Sequence, residues 1–249
     1  MIFKLIGIAW LFLCTSCNAG SSLMKNYKID GADKQLIVRF GKTLNSRHLD
    51  DAEAFIESTN FDVDLPDKEG RTLLVAAVLS DDYKTTEKLL KLGADPNLLY
   101  PDYKSKSVMG WAAAYKNDSY LKLLTKYNAD INLLQERQRT LPSPIYDAIA
   151  ADRHENLRFL LNNGANPNVV NKSGHSPLMF AITSASWEMA MIMLDAGADY
   201  KFKNKWNEDA ASAIERQGLG TEGKNGEWRK KVIQFFKQKG IELDLRVPL

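Results

Sequence analysis

Leu89-Leu90-Lys91-Leu92-Gly93-Ala94-Asp95-Pro96-Asn97 decides the fold of this 249-residue chain, because related copies of the stretch recur along the sequence. The position of Gly93 holds only glycine or asparagine, which most readily adopt the left-handed conformation that ends a helix. The six turn residues are Asn60, Gly93, Asn128, Gly164, Gly197 and Gly240. Successive turns lie 33, 35, 36, 33 and 43 residues apart. A helical period near ~33 residues is typical of a protein built from stacked repeats.

A second pattern precedes these turns. Thr72–Ala77, Ser143–Ala148 and Ser176–Ala181 each begin with a hydroxyl residue and end with a small alanine. The hydroxyl can cap a first helix, and proline suits the first turn that follows it. These segments are close to the Thr-Pro-Leu-His-x-Ala motif, so the chain resembles the ankyrin repeat family. The resemblance implies an all-α ankyrin-repeat solenoid of about five or six helix-turn-helix units, including degenerate caps.

The resemblance divides residues 33–249 into three parts. It is strong for the core repeats, which we place at residues 69–201. Residues 33–68 keep the second-helix and turn signals but lack the hydroxyl-alanine motif, and residues 202–249 carry a Gly-rich insertion. Because terminal repeats face water on one side, atypical first and last units are expected.

The N-terminal residues have the pattern of an export signal. Lys4 precedes an apolar run from Leu5 to Leu13, and small residues follow before Cys17. Cys14-Thr15-Ser16-Cys17 resembles a bacterial lipobox, which implies a lipoprotein signal peptide at residues 1–16 and an acyl (palmitate) chain on Cys17. Residues 17–32 would be a flexible tether, and Asn18 favours the outer membrane facing the periplasm. The alternatives are an N-terminal transmembrane anchor and an ordinary cleaved signal.

Composition and motifs argue against catalysis. A net charge of +2 gives no general attraction to nucleic acid. The chain has no phosphate-binding glycine loop and no Gly-x-Ser-x-Gly segment, and its three histidines lack a second ligand at metal-binding spacing. We therefore expect a protein that is not an enzyme and needs no cofactor, metal or small-molecule substrate.

The residue before the motif alanine faces the binding groove in ankyrin proteins. The resemblance therefore assigns Trp111, Asp147 and Phe180 to a partner-binding surface, with Tyr115 one helical turn after Trp111. Tryptophan and tyrosine are favoured in protein interfaces. The alternative is that these aromatic side chains fill gaps between irregular repeats.

Two connecting loops are longer than the usual ankyrin turn, at residues 98–106 and 133–141. Long loops on a repeat scaffold often make the specific contacts. We therefore expect partner contacts at four loop residues and at one residue of the corresponding later loop, namely Tyr100, Tyr103, Arg137, Arg139 and Trp206.

Taken together, these features predict a protein-binding periplasmic lipoprotein. Lipidated ankyrin proteins resemble immunity proteins that neutralise toxic phospholipases delivered by type VI secretion. This resemblance implies a phospholipase toxin as the protein partner. The alternative is an ankyrin scaffold that organises an envelope complex or supports stress defence.

Overall fold

The structure is a computed structural model that describes residues 32–44, 50–67, 70–99, 106–135, 142–217 and 223–245. These residues form twelve helices, and none of them lies in a strand. The chain divides into two compact units, Met1–Ala94 and Asp95–Leu249. The predicted all-α ankyrin-repeat fold is confirmed.

The helices of both units are short and arranged in consecutive pairs. The first unit contains α1 (Ala32–Leu44), α2 (Asp50–Thr59), α3 (Leu73–Leu79) and α4 (Tyr83–Lys91). The second unit contains α5 (Val108–Ala113), α6 (Ser119–Lys126), α7 (Pro144–Ala150), α8 (His154–Asn162), α9 (Pro177–Thr183), α10 (Trp187–Asp195), α11 (Ala210–Arg216) and α12 (Gly223–Gln238).

The second helices end as the glycine and asparagine pattern predicts. All six turn residues have positive φ, from 49° at Asn60 to 90° at Gly164. At the first glycine turn, Ala94 N–H donates to Leu89 O at 3.0 Å and Gly93 N–H donates to Leu90 O at 3.2 Å. This hydrogen-bond pair satisfies carbonyl groups that would otherwise be unpaired at the helix end. The large apolar residue four positions before the turn, here Leu89, recurs because its side chain is fully buried in the core.

The first helices begin with hydroxyl caps at most of the predicted positions. Thr72 Oγ1 accepts from Val75 N at 3.3 Å, and Ser176 Oγ accepts from Met179 N at 3.3 Å. The prediction is wrong for Ser143, whose hydroxyl makes no capping bond to α7. That hydroxyl is buried and has no hydrogen-bond partner within the described part of the chain. Pro144, at the first position of α7, provides the helical φ without a cap.

Helices with the same role pack against each other in the second unit. The first helices α5, α7, α9 and α11 contact one another in sequence order, as do the second helices α6, α8, α10 and α12. The motif alanines of the first helices are no more than 1% exposed. Their small side chains therefore permit close approach of neighbouring helices.

Asparagine side chains also join consecutive turns of the second unit. Asn132 Nδ2 donates to Gly164 O at 3.0 Å, and Asn132 Oδ1 accepts from Asn166 N at 2.7 Å. Asn97 makes the equivalent pair of bonds to the turn at Asn128, donating to Asn128 O and accepting from Asp130 N. Asn168 Oδ1 accepts one such bond from Asp199 N, in the turn at Gly197. These amides fix the register of the repeats along one edge of the unit.

Candidate protein-binding surface

Trp111 and Tyr115 lie at one end of the second unit, on and just after α5. Both side chains are partly exposed. The Lys106 ammonium lies 5.2 Å from the centre of the Trp111 ring. The Tyr115 ring packs edge-on against Tyr120, with 4.9 Å between ring centres. Each aromatic ring is therefore partly packed against its neighbours and partly exposed, and its role in partner binding stays a prediction.

Phe180 is partly exposed on α9, and its ring lies 5.5 Å from that of Tyr146. Tyr146 is fully buried, and its hydroxyl oxygen lies 2.7 Å from both Val169 O and His175 O. Burial raises the pKa of Tyr146 well above its ordinary value, so the hydroxyl keeps its proton and can donate to one of these carbonyls. Tyr146 thereby ties α7 to the loop that precedes α9.

Asp147 does not lie on an exposed surface, so the expectation of a direct partner contact there is wrong. Its side chain is fully buried, and Oδ1 lies 2.5 Å from Lys106 Nζ. Gln135 Nε2 donates to Asp147 Oδ2 at 2.8 Å, while Gln135 Oε1 accepts from Ser107 N at 2.9 Å. A β-carbon on Gly110 would lie 2.7 Å from Asp147 Oδ2, so glycine leaves room for this cluster.

The Asp147 cluster joins the bases of the two long loops. Lys106 is the last residue of one loop, and Gln135 lies near the start of the other. Burial raises the pKa of Asp147 above its ordinary value of 3.8, while the adjacent Lys106 ammonium and the hydrogen bond from Gln135 lower it. A buried carboxylate requires such partners, because an unpaired charge is strongly disfavoured in the protein interior. Asp147 therefore positions the loop bases.

Five predicted site residues fall outside the described residues. Tyr100 and Tyr103 belong to the first long loop, Arg137 and Arg139 belong to the second, and Cys17 belongs to the N-terminal segment. Their partner-binding and lipidation roles remain predictions.

A groove lies between α9 and α11, together with the loops that precede them. Its volume is about 580 Å³. The groove is lined by His175, Thr183, Trp206, Glu208, Arg216 and Gln217. Trp206, one of the predicted contact residues, is 55% exposed at this groove. The Lys205 ammonium lies 4.4 Å from the centre of its indole ring. A large, accessible aromatic surface beside polar groups is suited to anchoring a protein partner.

The loop before α11 is shaped by Asn204. Its Oδ1 accepts from Trp206 N at 2.9 Å and from Glu208 N at 3.0 Å. Its Nδ2 donates to Glu208 Oε2 at 3.0 Å. Asn171 holds the preceding loop in the same way, because its Oδ1 accepts from the backbone amide of His175. The buried asparagines therefore place His175 and Glu208 at equivalent positions of successive loops.

Arg216 and Glu208 form a two-point ion pair on the groove wall. The two nitrogen-oxygen distances are 2.5 and 2.9 Å. The hydrogen bond from Asn204, followed by the contacts with Arg216, lowers the pKa of Glu208 below its ordinary value of 4.5. Burial lowers the pKa of His175 below its ordinary value of 6.5, although Glu208 opposes this change. At neutral pH the groove therefore presents a neutral imidazole, a paired carboxylate and an aromatic ring.

Sequence reasoning missed most of this groove. Neither the repeat pattern nor the motifs indicate that His175, Thr183, Glu208, Arg216 and Gln217 share a surface. One sequence feature does relate two of them: His175 and Glu208 each follow an asparagine by four residues, so they occupy equivalent positions in successive loops. Of the residues predicted to bind a partner, the groove contains Trp206.

Other kinds of site have no support in the described residues. No group of three or more His, Cys, Asp or Glu side chains among them is arranged to hold a metal ion. In the same residues, no helix combines the length and apolar composition needed to cross a membrane.

The fold and the groove define a protein that contains ankyrin repeats. Residues 109–204 match the family model described as "Ankyrin repeats (3 copies)". The chain is also similar to the crystal structure of the ankyrin repeat domain of Bcl-3, with a TM-score of 0.65. That alignment has 18% identity and covers 87% of this chain and 90% of the other, so it supports the fold alone. Ankyrin repeats typically serve protein interaction rather than catalysis and indicate protein partners for this chain.

Two curated proteins align with about half of this chain. Protein PhlB of Serratia liquefaciens is 36% identical over 118 residues, which are 47% of this chain and 50% of PhlB. Human transient receptor potential cation channel subfamily A member 1 is 23% identical over 122 residues, which are 49% of this chain and 10% of the channel. The matches therefore extend over at most half the length of these two relatives.

Proposed function

We propose that this chain is an immunity protein that binds and neutralises a toxic phospholipase. The groove at Trp206 would receive a projecting segment of the toxin, and the two long loops would add contacts through Tyr100, Tyr103, Arg137 and Arg139. The observation that carries the binding part of the proposal is the 55% exposure of Trp206 beside the Glu208–Arg216 pair. The toxin class comes from the resemblance to lipidated immunity proteins, and the alignment with PhlB gives it limited support.

The proposal places the protein at the periplasmic face of the outer membrane, held by lipid on Cys17. A lipid anchor would keep the inhibitor at high local concentration on the membrane that the toxin attacks. The anchor can be tested by labelling cells with radioactive palmitate. The wild-type chain and the Cys14→Leu variant should incorporate label, because Leu is the usual lipobox residue at that position. Cys17→Ser should incorporate none, and equal labelling of Cys17→Ser would exclude lipidation at this cysteine.

The immunity function can be tested by directing any phospholipase encoded beside this gene to the periplasm, with and without the full chain. The wild-type chain should restore growth, whereas Trp206→Ala should lower affinity for the toxin about tenfold or more because it removes a central aromatic contact. Tyr83→Ala is the matched control, since Tyr83 is 43% exposed on α4 of the other unit. If the folded wild-type chain neither binds the toxin nor protects the cells, the immunity proposal is wrong.

A scaffold that organises an envelope complex is the second candidate. The same fold favours it, because ankyrin repeats indicate protein partners without specifying an inhibitory one. Stable association with an envelope protein that lacks phospholipase activity, together with no protection from the toxin, would support the scaffold.

A further inference from the structure

The last helix carries a concentration of positive charge that the whole chain does not share. Residues 223–240, which comprise α12 and its turn, contain six basic residues and one acidic residue, whereas the complete chain has a net charge of only +2. The rest of the molecule is therefore net acidic. Such segregation of charge creates a local positive potential that attracts an anionic partner.

The packing of α12 directs five of these six basic residues outward. Gly226, Val232 and Phe236 are buried, as is the basic residue Arg229, and α12 packs against α10. The lysines of the helix and its turn are all exposed, namely Lys224, Lys230, Lys231, Lys237 and Lys239. Lys201, on the turn after α10, belongs to the same neighbourhood because the adjacent Tyr200 ring lies 5.5 Å from the ring of Phe235.

Aromatic rings lie beneath several of these ammonium groups. Lys231 Nζ lies 3.8 Å from the centre of the Trp228 ring. Lys239 Nζ lies 5.3 Å from the Phe235 ring, and Lys201 Nζ lies 5.7 Å from the Tyr200 ring. All three rings are partly exposed. Side chains with an apolar body and a polar or cationic end are favoured where a membrane meets water.

Four lysines of this region are available to an external anion. Among the described residues, Lys224 and Lys230 have carboxylate partners in Glu188 and Glu227. No ion pair within 4.0 Å joins another described residue to the remaining lysines of α12 and the neighbouring turn. We call these the basic surface, and they are Lys201, Lys231, Lys237 and Lys239.

We propose that the basic surface docks on anionic phospholipid headgroups. Lysine favours this occupant over an acidic protein, because a single ammonium on a flexible stem suits dispersed phosphates and lacks the planar fork with which arginine recognises a particular carboxylate. The partly exposed rings can enter the headgroup region beside the charges. This docking is independent of the groove at Trp206 and of lipid on Cys17.

The test is lysine-labelling footprinting of the full chain on vesicles. An acetylating reagent would be applied with phosphatidylcholine vesicles, or with vesicles that contain about 30% phosphatidylglycerol, and each lysine would be followed by mass spectrometry. The four lysines of the basic surface should be labelled at least about threefold more slowly on the anionic vesicles, and high salt should remove this protection. Exposed lysines elsewhere provide internal controls, namely Lys42, Lys84, Lys126 and Lys172.

Charge reversal provides the second measurement. Binding is measured here by co-sedimentation with vesicles, and replacing all four lysines of the basic surface by glutamate should abolish the difference in bound protein between anionic and neutral vesicles. The same replacement at the four control lysines changes the net charge equally and should preserve the difference. Equal protection of all lysines, or equal effects of the two variants, would overturn the proposal. Protection of the basic surface by an acidic protein but not by anionic vesicles would overturn it as well.

Discussion

Gly110 on α5 and Asp147 on α7 occupy complementary space, since a β-carbon on Gly110 would lie 2.7 Å from Asp147 Oδ2. The same β-carbon would lie 3.0 Å from Gln135 Oε1. Gly110 replaces the motif histidine of the ankyrin pattern, and the carboxylate and amide occupy the space that its missing side chain leaves. The absence of a side chain at Gly110 therefore leaves the space in which Asp147 and Gln135 form their hydrogen bond.

Gly110→Ala should lower the free energy of unfolding by up to about 2 kcal/mol. Crowding of the buried cluster costs roughly 1–3 kcal/mol, and the better helix propensity of alanine offsets about 1 kcal/mol of that loss. Urea denaturation would measure the change. In an Asp147→Ala background, the same substitution should be neutral or stabilising. An equal loss in both backgrounds would show that the two positions are not coupled.

Asn132→Ala should lower stability by about 1–2 kcal/mol, because it removes two hydrogen bonds that join consecutive turns. Hydrogen exchange should also become faster at the backbone amide of Asn166. Lys201→Ala is the matched control, since Lys201 has the same position in its copy of the repeat but lacks the amide. A similar loss in the Lys201 variant would argue against a specific role for the asparagine bridge.

His175 should make stability depend on pH. Its folded-state pKa is lowered from 6.5, mainly by burial, so its stabilising contribution is complete above pH 6.5. That contribution is lost as pH falls through the lower folded-state pKa, because the unfolded chain then binds a proton more readily. The wild-type Tm should therefore fall more than that of His175→Gln between about pH 7.5 and about pH 5.5. Identical pH profiles of the two proteins would contradict this assignment. Glu208 does not interfere with the measurement, because its lowered pKa confines its effect on stability to pH values below 4.5.

Ala185→Gly should raise the free energy of unfolding by about 0.5–1 kcal/mol. Ala185 has a φ of 53° in the turn between α9 and α10, a conformation that is strained for alanine and unstrained for glycine. Ala151 provides a control, because it follows α7 with a φ of −90°. Ala151→Gly should be neutral or destabilising, since it only adds freedom to the unfolded chain. Thermal unfolding should therefore show a higher Tm for Ala185→Gly and an unchanged or lower Tm for Ala151→Gly, and a lower Tm for Ala185→Gly would contradict the assignment.

The sequence by itself determined the fold, because the features that define it are local. A positive-φ turn requires glycine or asparagine, a helix start favours a hydroxyl, and close helix packing requires a small residue, so each leaves a mark at a fixed spacing. The six turns from Asn60 to Gly240 were found in this way. The missing cap at Ser143 shows that the same residue type can occupy the same repeat position without forming the hydrogen bond.

Only the tertiary structure decided which polar side chains are buried and which residues share a surface. Asp147 has the sequence position of a groove residue, but Lys106 from 41 positions earlier and Gln135 from 12 positions earlier enclose it. His175 meets Glu208 and Arg216 only because successive loops stack. Such groupings depend on how distant segments pack and on the free energy of desolvating each charge, and neither is encoded by spacing along one repeat.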